Sequence, residues 1–205
     1  MSIDRDALRS ELRQRRRAIP AAARIAAAEQ LAERVLALPF APATGHVAGY
    51  WAMDGEIALH AWQLRLPSTV TYCLPVLGPD GCLRFAPWRP GDTLASNRFG
   101  IPEPDVAEES LLAPAAMALV LVPLVGFDAR GHRLGMGGGW YDRSFAFRNR
   151  QADNPRSPPP WLVGAAFAAQ RLDMLAAEPW DVALDAVCSE RDTIFPDATI
   201  IDDNA

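Results

Sequence analysis

The chain contains no lysine; all 20 of its basic side chains are arginines. That absence excludes Schiff-base chemistry on a lysine and any phosphate loop that ends in Gly-Lys-Ser/Thr. Cysteine is scarce as well. Cys73, Cys82 and Cys188 form no Cys-x-x-Cys pair, so neither a disulfide framework nor a zinc site is expected, and a reducing compartment is the default. His46, His60 and His132 fall in no nucleophile or metal pattern. No apolar run approaches the roughly 20 residues that span a bilayer, and the first residues (Asp4, Arg5, Asp6, Arg9) are charged rather than leader-like. Positive charge is in short supply overall, with a net charge of -5 and a pI of about 5.2. An acidic chain is a poor electrostatic partner for nucleic acid or an anionic membrane. These absences predict a cytoplasmic protein with neither nucleic acid nor membrane as partner.

What is present is an apolar half of a 205-residue chain, enough for one sizeable core and a single domain over residues 1–205. Leu8 and Leu12 share a face of a first helix, surrounded by Arg9, Arg13, Arg15, Arg16 and Arg17. Pro20 opens a second, along which Ile25, Ala28, Leu31, Ala32 and Val35 recur at helical spacing. Gly45 to Trp51 is β-like, Asp54-Gly55 is a turn, and Glu56 to Leu64 reads as helix. Strands are expected at Val70 to Leu74, ended by Pro75, and at Cys82 to Ala86 beyond a Gly-Pro-Asp-Gly turn. Trp88 to Ala107 reads as a long ordered loop. Leu119 to Pro123 is apolar on both faces, as a buried parallel strand should be. Further strands are expected at Trp161 to Phe167 and Ala183 to Cys188, with a mobile Pro-rich loop at Gln151 to Pro160 and a frayed tail at Ile201 to Ala205. Helices interleaved with short apolar strands predict an α/β fold with a mostly parallel sheet flanked by helices.

The stretch Arg133-Leu134-Gly135-Met136-Gly137-Gly138-Gly139-Trp140-Tyr141-Asp142-Arg143 follows a strand and leads into a predicted helix, Trp140 to Arg148. Its glycines let the backbone approach a ligand closely, and successive N–H groups followed by a helix N-terminus make an anion cradle. Arg133 and Arg143 supply the charge that lysine gives elsewhere, and Asp142 is suited to a Mg²⁺ that bridges nucleotide phosphates. Glycine content alone fits a tight turn before a helix equally well. The GxGxxG pattern of dinucleotide folds is not met.

The same stretch closely resembles the signature of the 5-formyltetrahydrofolate cyclo-ligase family, roughly R-L-G-x-G-G-G-Y-Y-D-R, with Met136 at the variable position and Trp140 for the first tyrosine. Further similarities keep their order along about nine-tenths of the chain. They are Arg5 to Arg9, Tyr50 through Glu56 to Leu59, Leu74-Pro75-Val76, Asn97 to Pro104, Val122 to Gly131, Gly164 to Gln170, and Asp181 to Glu190. Arg5 stands where the family has lysine, and its planar fork is not equivalent to an ammonium.

The resemblance implies a sheet topology similar to sugar-phosphate isomerase and CoA-transferase domains, a monomer, and an ATP- and Mg²⁺-dependent ring closure of 5-formyltetrahydrofolate to 5,10-methenyltetrahydrofolate. It implies a nucleotide site made of Arg5, Arg9, Arg133, Leu134, Gly135, Met136, Gly137, Gly138, Gly139, Trp140 and Tyr141. Folate contacts fall to Trp51, Glu56 and Tyr141, metal positions to Asp142 and Asp181, and catalytic roles to Arg133, Tyr141 and Asp142. Asn97, Phe99 and Glu103 lie in a segment that covers substrate or simply packs. A phosphosugar or CoA-ester enzyme on the same scaffold, or a folate-binding protein without turnover, are the competing readings.

Overall fold

The computed structural model describes residues 4–150 and 159–196. Two helices open the chain, α1 (Arg5–Arg17) and α2 (Ala21–Leu36). Asp4 caps α1, its carboxylate accepting from the N–H groups of Asp6 (2.9 Å) and Ala7 (3.3 Å), and Arg15, Arg16 and Arg17 complement the dipole at the other end. Pro20 precedes α2 as its N-cap, where a missing N–H costs nothing. Ala28, Leu31, Ala32 and Val35 are buried as the periodicity predicts, but Ile25 is 63% exposed; the buried stripe runs through Ala27 instead.

The central sheet has seven strands: β1 (Gly45–Ala48), β2 (Val70–Leu77), β3 (Leu83–Pro87), β6 (Met117–Pro123), β9 (Trp161–Ala165), β10 (Ala186–Cys188) and β11 (Thr193–Ile194). Their spatial order is β11-β10-β9-β6-β1-β2-β3. Neighbours from β10 to β2 are parallel, and antiparallel β11 and β3 close the edges. The α/β expectation with a mostly parallel sheet therefore holds. Along β6, Leu119 and Leu121 face a core shared with α2 and with α3 (His60–Leu64), while Val120 and Val122 face a second core on the other side that includes Phe85, Phe127 and Phe145. Both faces are covered, which is why β6 is apolar at every inner position.

Some local expectations change. The helix expected from Glu56 begins only at His60, because residues 50–59 form the loop that follows β1. Pro75 does not end β2. That strand pairs with β1 up to Cys73 and with β3 from Cys73 onward, so Pro75 lies opposite Phe85 with no ladder on its other side, and its lack of an N–H is harmless. The stretch expected as a loop holds a hairpin, β4 (Leu94–Ser96) with β5 (Pro102–Pro104). A second small hairpin, β7 (Gly126–Phe127) with β8 (Arg133–Leu134), leads into α4 (Trp140–Phe145), which is shorter than expected and passes into a 3-10 turn at Ala146–Arg150. Most of the Pro-rich segment and the whole acidic tail lie outside the described residues. No helix among the described residues is long and apolar enough to cross a membrane.

The switch in strand order falls at β1. From β1 the chain moves to β2 on one side and later returns to β6 on the other, so the crevice between their carboxyl ends is where an open α/β sheet offers a ligand site. Arg16 of α1 reaches the loops that follow β1 and β6. Its guanidinium is 1% exposed and donates to the Asp54 carbonyl (3.1 Å), the Asp54 carboxylate (3.0 Å) and the Leu124 carbonyl (3.5 Å), with Glu56 at 3.7 Å. One side chain thus ties α1 to the loops after β1 and β6. Cys73 and Cys188 are buried, and burial pushes their thiols up to about 12 and about 11. Removing the buried cation strands its partners, so Arg16→Ala should lower unfolding free energy by about 3–5 kcal/mol in urea titrations. Arg15→Ala, on the exposed face beside Glu11, should change it by less than about 0.5 kcal/mol.

Candidate active site

The loop after β1 and the glycine segment after β8 supply opposite walls of the crevice. In the first, Asp54 takes a left-handed conformation (φ 50°) and receives Arg13 (2.7 Å), Arg16 and Arg17 from α1. Desolvation alone would raise the Asp54 pKa, but hydrogen bonds from Arg13 and Arg17 and the charges of Arg13 and Arg16 outweigh it and hold the carboxyl below its ordinary range. Two residues on, Glu56 shows the opposite balance. It accepts the Met53 N–H (2.9 Å), yet burial dominates and raises its pKa. Tyr50 braces this loop by donating to the Ile57 carbonyl (2.9 Å).

Tyr141 faces Glu56 from the other wall. Its ring stacks on Phe145 (centroids 6.3 Å apart), and burial, reinforced by the Glu56 charge, raises its pKa far above that of free tyrosine, so the hydroxyl remains a donor. Trp51 is 36% exposed at the rim and meets Trp88 edge-on (5.8 Å). The three residues expected to contact folate, Trp51, Glu56 and Tyr141, thus come from both walls, with the Glu56 and Tyr141 groups coupled electrostatically.

In the glycine segment, Gly137 (φ 94°) and Gly139 (φ 63°) adopt conformations that L side chains avoid. The missing side chains also leave room for arginines. A Cβ on Gly139 would lie 2.8 Å from Arg143 Nη1, and one on Gly137 would lie 3.6 Å from the Arg9 guanidinium carbon. Arg9 donates from Nε to the Gly135 carbonyl (2.9 Å) and pairs with Asp6. Met136 is exposed, and Trp140 lies half-buried beside Gly138. Leu134 is fully buried with Leu12, Val125 and Leu175, so any role at the site is through its backbone. With α4 only six residues long, the cradle is one of backbone amides more than of a helix dipole.

The expected metal positions are linked through the backbone of Val182. Asp142 Oδ1 accepts from Arg133 and from the Val182 N–H (3.1 Å), the residue after Asp181. Asp181 Oδ2 accepts the Glu178 N–H (3.0 Å) and lies 3.8 Å from Arg5, which also pairs with Glu178 (3.2 Å). Arg133 is buried and spent inward on Asp142 and the Val182 carbonyl. No cluster of three or more His, Cys, Asp or Glu suited to a metal occurs among the described residues. Mg²⁺ commonly takes one or two carboxylates and completes its shell with water and phosphate oxygens, so Asp142 and Asp181 fit an ion delivered with a nucleotide rather than a protein-only cage.

Sequence reasoning did not single out Arg16, Asp54 or Arg98. The first two had a signal in Arg13, Arg16 and Arg17 at helical spacing, facing an Asp-Gly turn. Asn97 and Glu103 shape the segment that holds them. Asn97 Oδ1 accepts the Phe99 and Ile101 N–H groups, its amide donates to Glu103 (2.7 Å), and Glu103 accepts the Leu77 N–H of β2 (3.1 Å).

A mostly parallel open sheet that carries a glycine segment and part-buried carboxylates in the loops beyond its strands has the architecture of an α/β enzyme. Comparison with known proteins narrows this. A model described as the 5-formyltetrahydrofolate cyclo-ligase family matches residues 1–190. Over 184 residues the chain is 33% identical to a 5-formyltetrahydrofolate cyclo-ligase of Haemophilus influenzae, covering 88% of this chain and 94% of that one. Over 180 residues it is 34% identical to the Escherichia coli K12 enzyme of the same name, covering 86% and 94%. The fold is shared with a 5,10-methenyltetrahydrofolate synthetase from Aquifex aeolicus, with a TM-score of 0.75 at 24% identity over 93% of this chain and 92% of that one. The chain belongs to the 5-formyltetrahydrofolate cyclo-ligase family and is an enzyme.

Two substitutions test this site. Gly139→Ala should strain the left-handed position and displace Arg143, costing about 1–2 kcal/mol of stability and weakening anion binding, both readable by calorimetry. Glu56 keeps its proton in the folded state to higher pH than in the unfolded chain, so its contribution to stability falls as pH rises from about 4.5 through its raised native pKa. Glu56→Gln removes that cost. Relative to the variant, the parent should lose stability across this window in denaturation midpoints, while only the variant loses folate affinity.

Proposed function

We propose that the enzyme couples ATP to the conversion of 5-formyltetrahydrofolate into 5,10-methenyltetrahydrofolate, with release of ADP and phosphate. The observation that carries this reading is the pairing, across one crevice, of a glycine–arginine anion cradle and its neighbour Tyr141 with Glu56 and Trp51 on the facing loop. A formyl oxygen is a poor leaving group. Its attack on the γ-phosphorus of ATP releases ADP and leaves an N5-iminium phosphate. The anilino N10 then attacks the formyl carbon, the ring closes, and phosphate departs with the former formyl oxygen as N10 loses its proton. No enzyme nucleophile is required, which accords with a site whose work is positioning and charge stabilisation.

Glu56 suits the pterin, whose amino and ring N–H groups are donors; a desolvated carboxylate gains most from such partners. Trp51 offers a ring face at the rim, and Tyr141 a hydroxyl that stays protonated. The amides of Gly135 to Gly139 cradle phosphate oxygens, with Arg9 holding the segment through the Gly135 carbonyl. Arg133 acts indirectly; with the Val182 N–H it fixes Asp142 by one oxygen, and among the described residues the other has no hydrogen-bond partner. A Mg²⁺ held by Asp142 and Asp181 would neutralise phosphate charge.

The test is near-UV absorbance of the methenyl bridge, which the substrate lacks. A rising band that needs protein, 5-formyltetrahydrofolate, ATP and Mg²⁺ together is the expected result, and a flat trace from folded protein would overturn the reading. Asp142→Asn keeps an oxygen for Arg133 and Val182 but loses the charge, and should lower kcat roughly 100-fold with a smaller loss of stability than Asp142→Ala. Asp142→Ala should destabilise more, because it strands the buried Arg133.

A further inference from the structure

Several cations near the glycine segment are already committed. Arg133 is paired with Asp142, Arg5 with Glu178 and Asp181, and Arg9 with Asp6. Two others have no carboxylate partner among the described residues, Arg143 and Arg98. Arg143 belongs to the cradle itself, with Nε donating to the Gly81 carbonyl (2.8 Å) and Nη1 filling the space above Gly139. Arg98 comes from elsewhere in the chain, at the tip of the β4–β5 hairpin.

That tip is built rather than loose. Asn97 closes it through the Phe99 and Ile101 N–H groups, Gly100 takes the left-handed turn (φ 72°), and the Asn97–Glu103–Leu77 chain of hydrogen bonds fastens it to β2. The result holds Phe99, 57% exposed, edge-on to Trp140 (6.4 Å), and places the Arg98 guanidinium 5.4 Å from the Trp140 ring centre. Arg143 lies 5.3 Å from the same ring. Trp140 thus draws two cations to the last residue of the cradle. A ring quadrupole attracts each only weakly where water has access, and like charges brought together repel. A polyanion between them would turn that repulsion into attraction on both sides.

We propose that Arg98 is a polyphosphate-binding residue. It contacts the phosphate chain of the nucleotide from the β4–β5 hairpin, opposite Arg143, so that the hairpin tip and the cradle form two jaws. This rests on the reading of ATP as co-substrate. It assigns to Arg98 the direct charge contact that the buried Arg133 is too committed to make.

The experiment is calorimetric titration of inorganic tripolyphosphate with Mg²⁺ into the full-length protein, Arg98→Gln and Arg98→Lys, alongside 5-formyltetrahydrofolate titrated without nucleotide. Losing one charge-assisted contact should weaken tripolyphosphate binding about tenfold or more in Arg98→Gln, with partial recovery in Arg98→Lys and unchanged folate affinity. Equal tripolyphosphate affinity in the parent and Arg98→Gln overturns the assignment, as does a parent that binds no tripolyphosphate. A loss confined to folate also overturns it, because Arg98 would then serve the carboxylates of that substrate. The absorbance assay is scored separately. Product formation with undiminished tripolyphosphate binding in Arg98→Gln would sink the Arg98 contact and leave the reaction standing. Weakened binding with no product from the parent would do the reverse.

Discussion

One buried guanidinium, that of Arg16, decides how the first helix meets the loops at the end of the sheet. Burying an unpaired cation would cost several kcal/mol, so the surrounding backbone must offer acceptors. It does so with the Asp54 carbonyl and carboxylate and the Leu124 carbonyl, which come from the loops after β1 and β6. Satisfying that one charge therefore ties the loop after β1 to the loop after β6. The same helix reaches the rest of the site through Arg9 at Gly135 and Arg5 at Asp181.

Asp54 and Glu56 are close in sequence and opposite in character. Asp54 is held ionised by three arginines, while Glu56 has one arginine at 3.7 Å and too little water. Asp54 therefore adds stability at neutral pH that is lost on acidification, whereas Glu56 opposes folding as it ionises. A carboxylate left short of partners is costly to the free protein and useful to a ligand rich in N–H donors.

Much of this was legible in the sequence because it is local. The period of Ala28, Leu31, Ala32 and Val35 marks a buried helix face, and the unbroken apolar run from Leu119 to Pro123 marks a strand covered on both sides. The glycine segment stood out by composition, and its resemblance to a family signature is matched by the family to which the chain belongs. Other features depended on distant partners. Helical spacing groups Arg16 with Arg13 rather than with the exposed Arg15, but its burial depends on partners far along the chain, Asp54 and Leu124. Pro75 is a strand breaker by rule and is tolerated because β1 has already ended beside it. The β4–β5 hairpin was hidden by prolines and glycine, since its shape is set by Asn97 and Glu103 side chains rather than by apolar alternation.

The burial of two of the three thiols has a practical side. Cys73 and Cys188 are shielded and held in the protonated form at neutral pH, whereas Cys82 is half-exposed. Alkylating reagents should therefore select one atom in the native protein. Cys82 follows Gly81, whose carbonyl receives Arg143 beside the cradle. A fluorophore placed there would sit within a few bonds of the jaw that Arg143 forms, giving the unaltered sequence a single-site optical reporter.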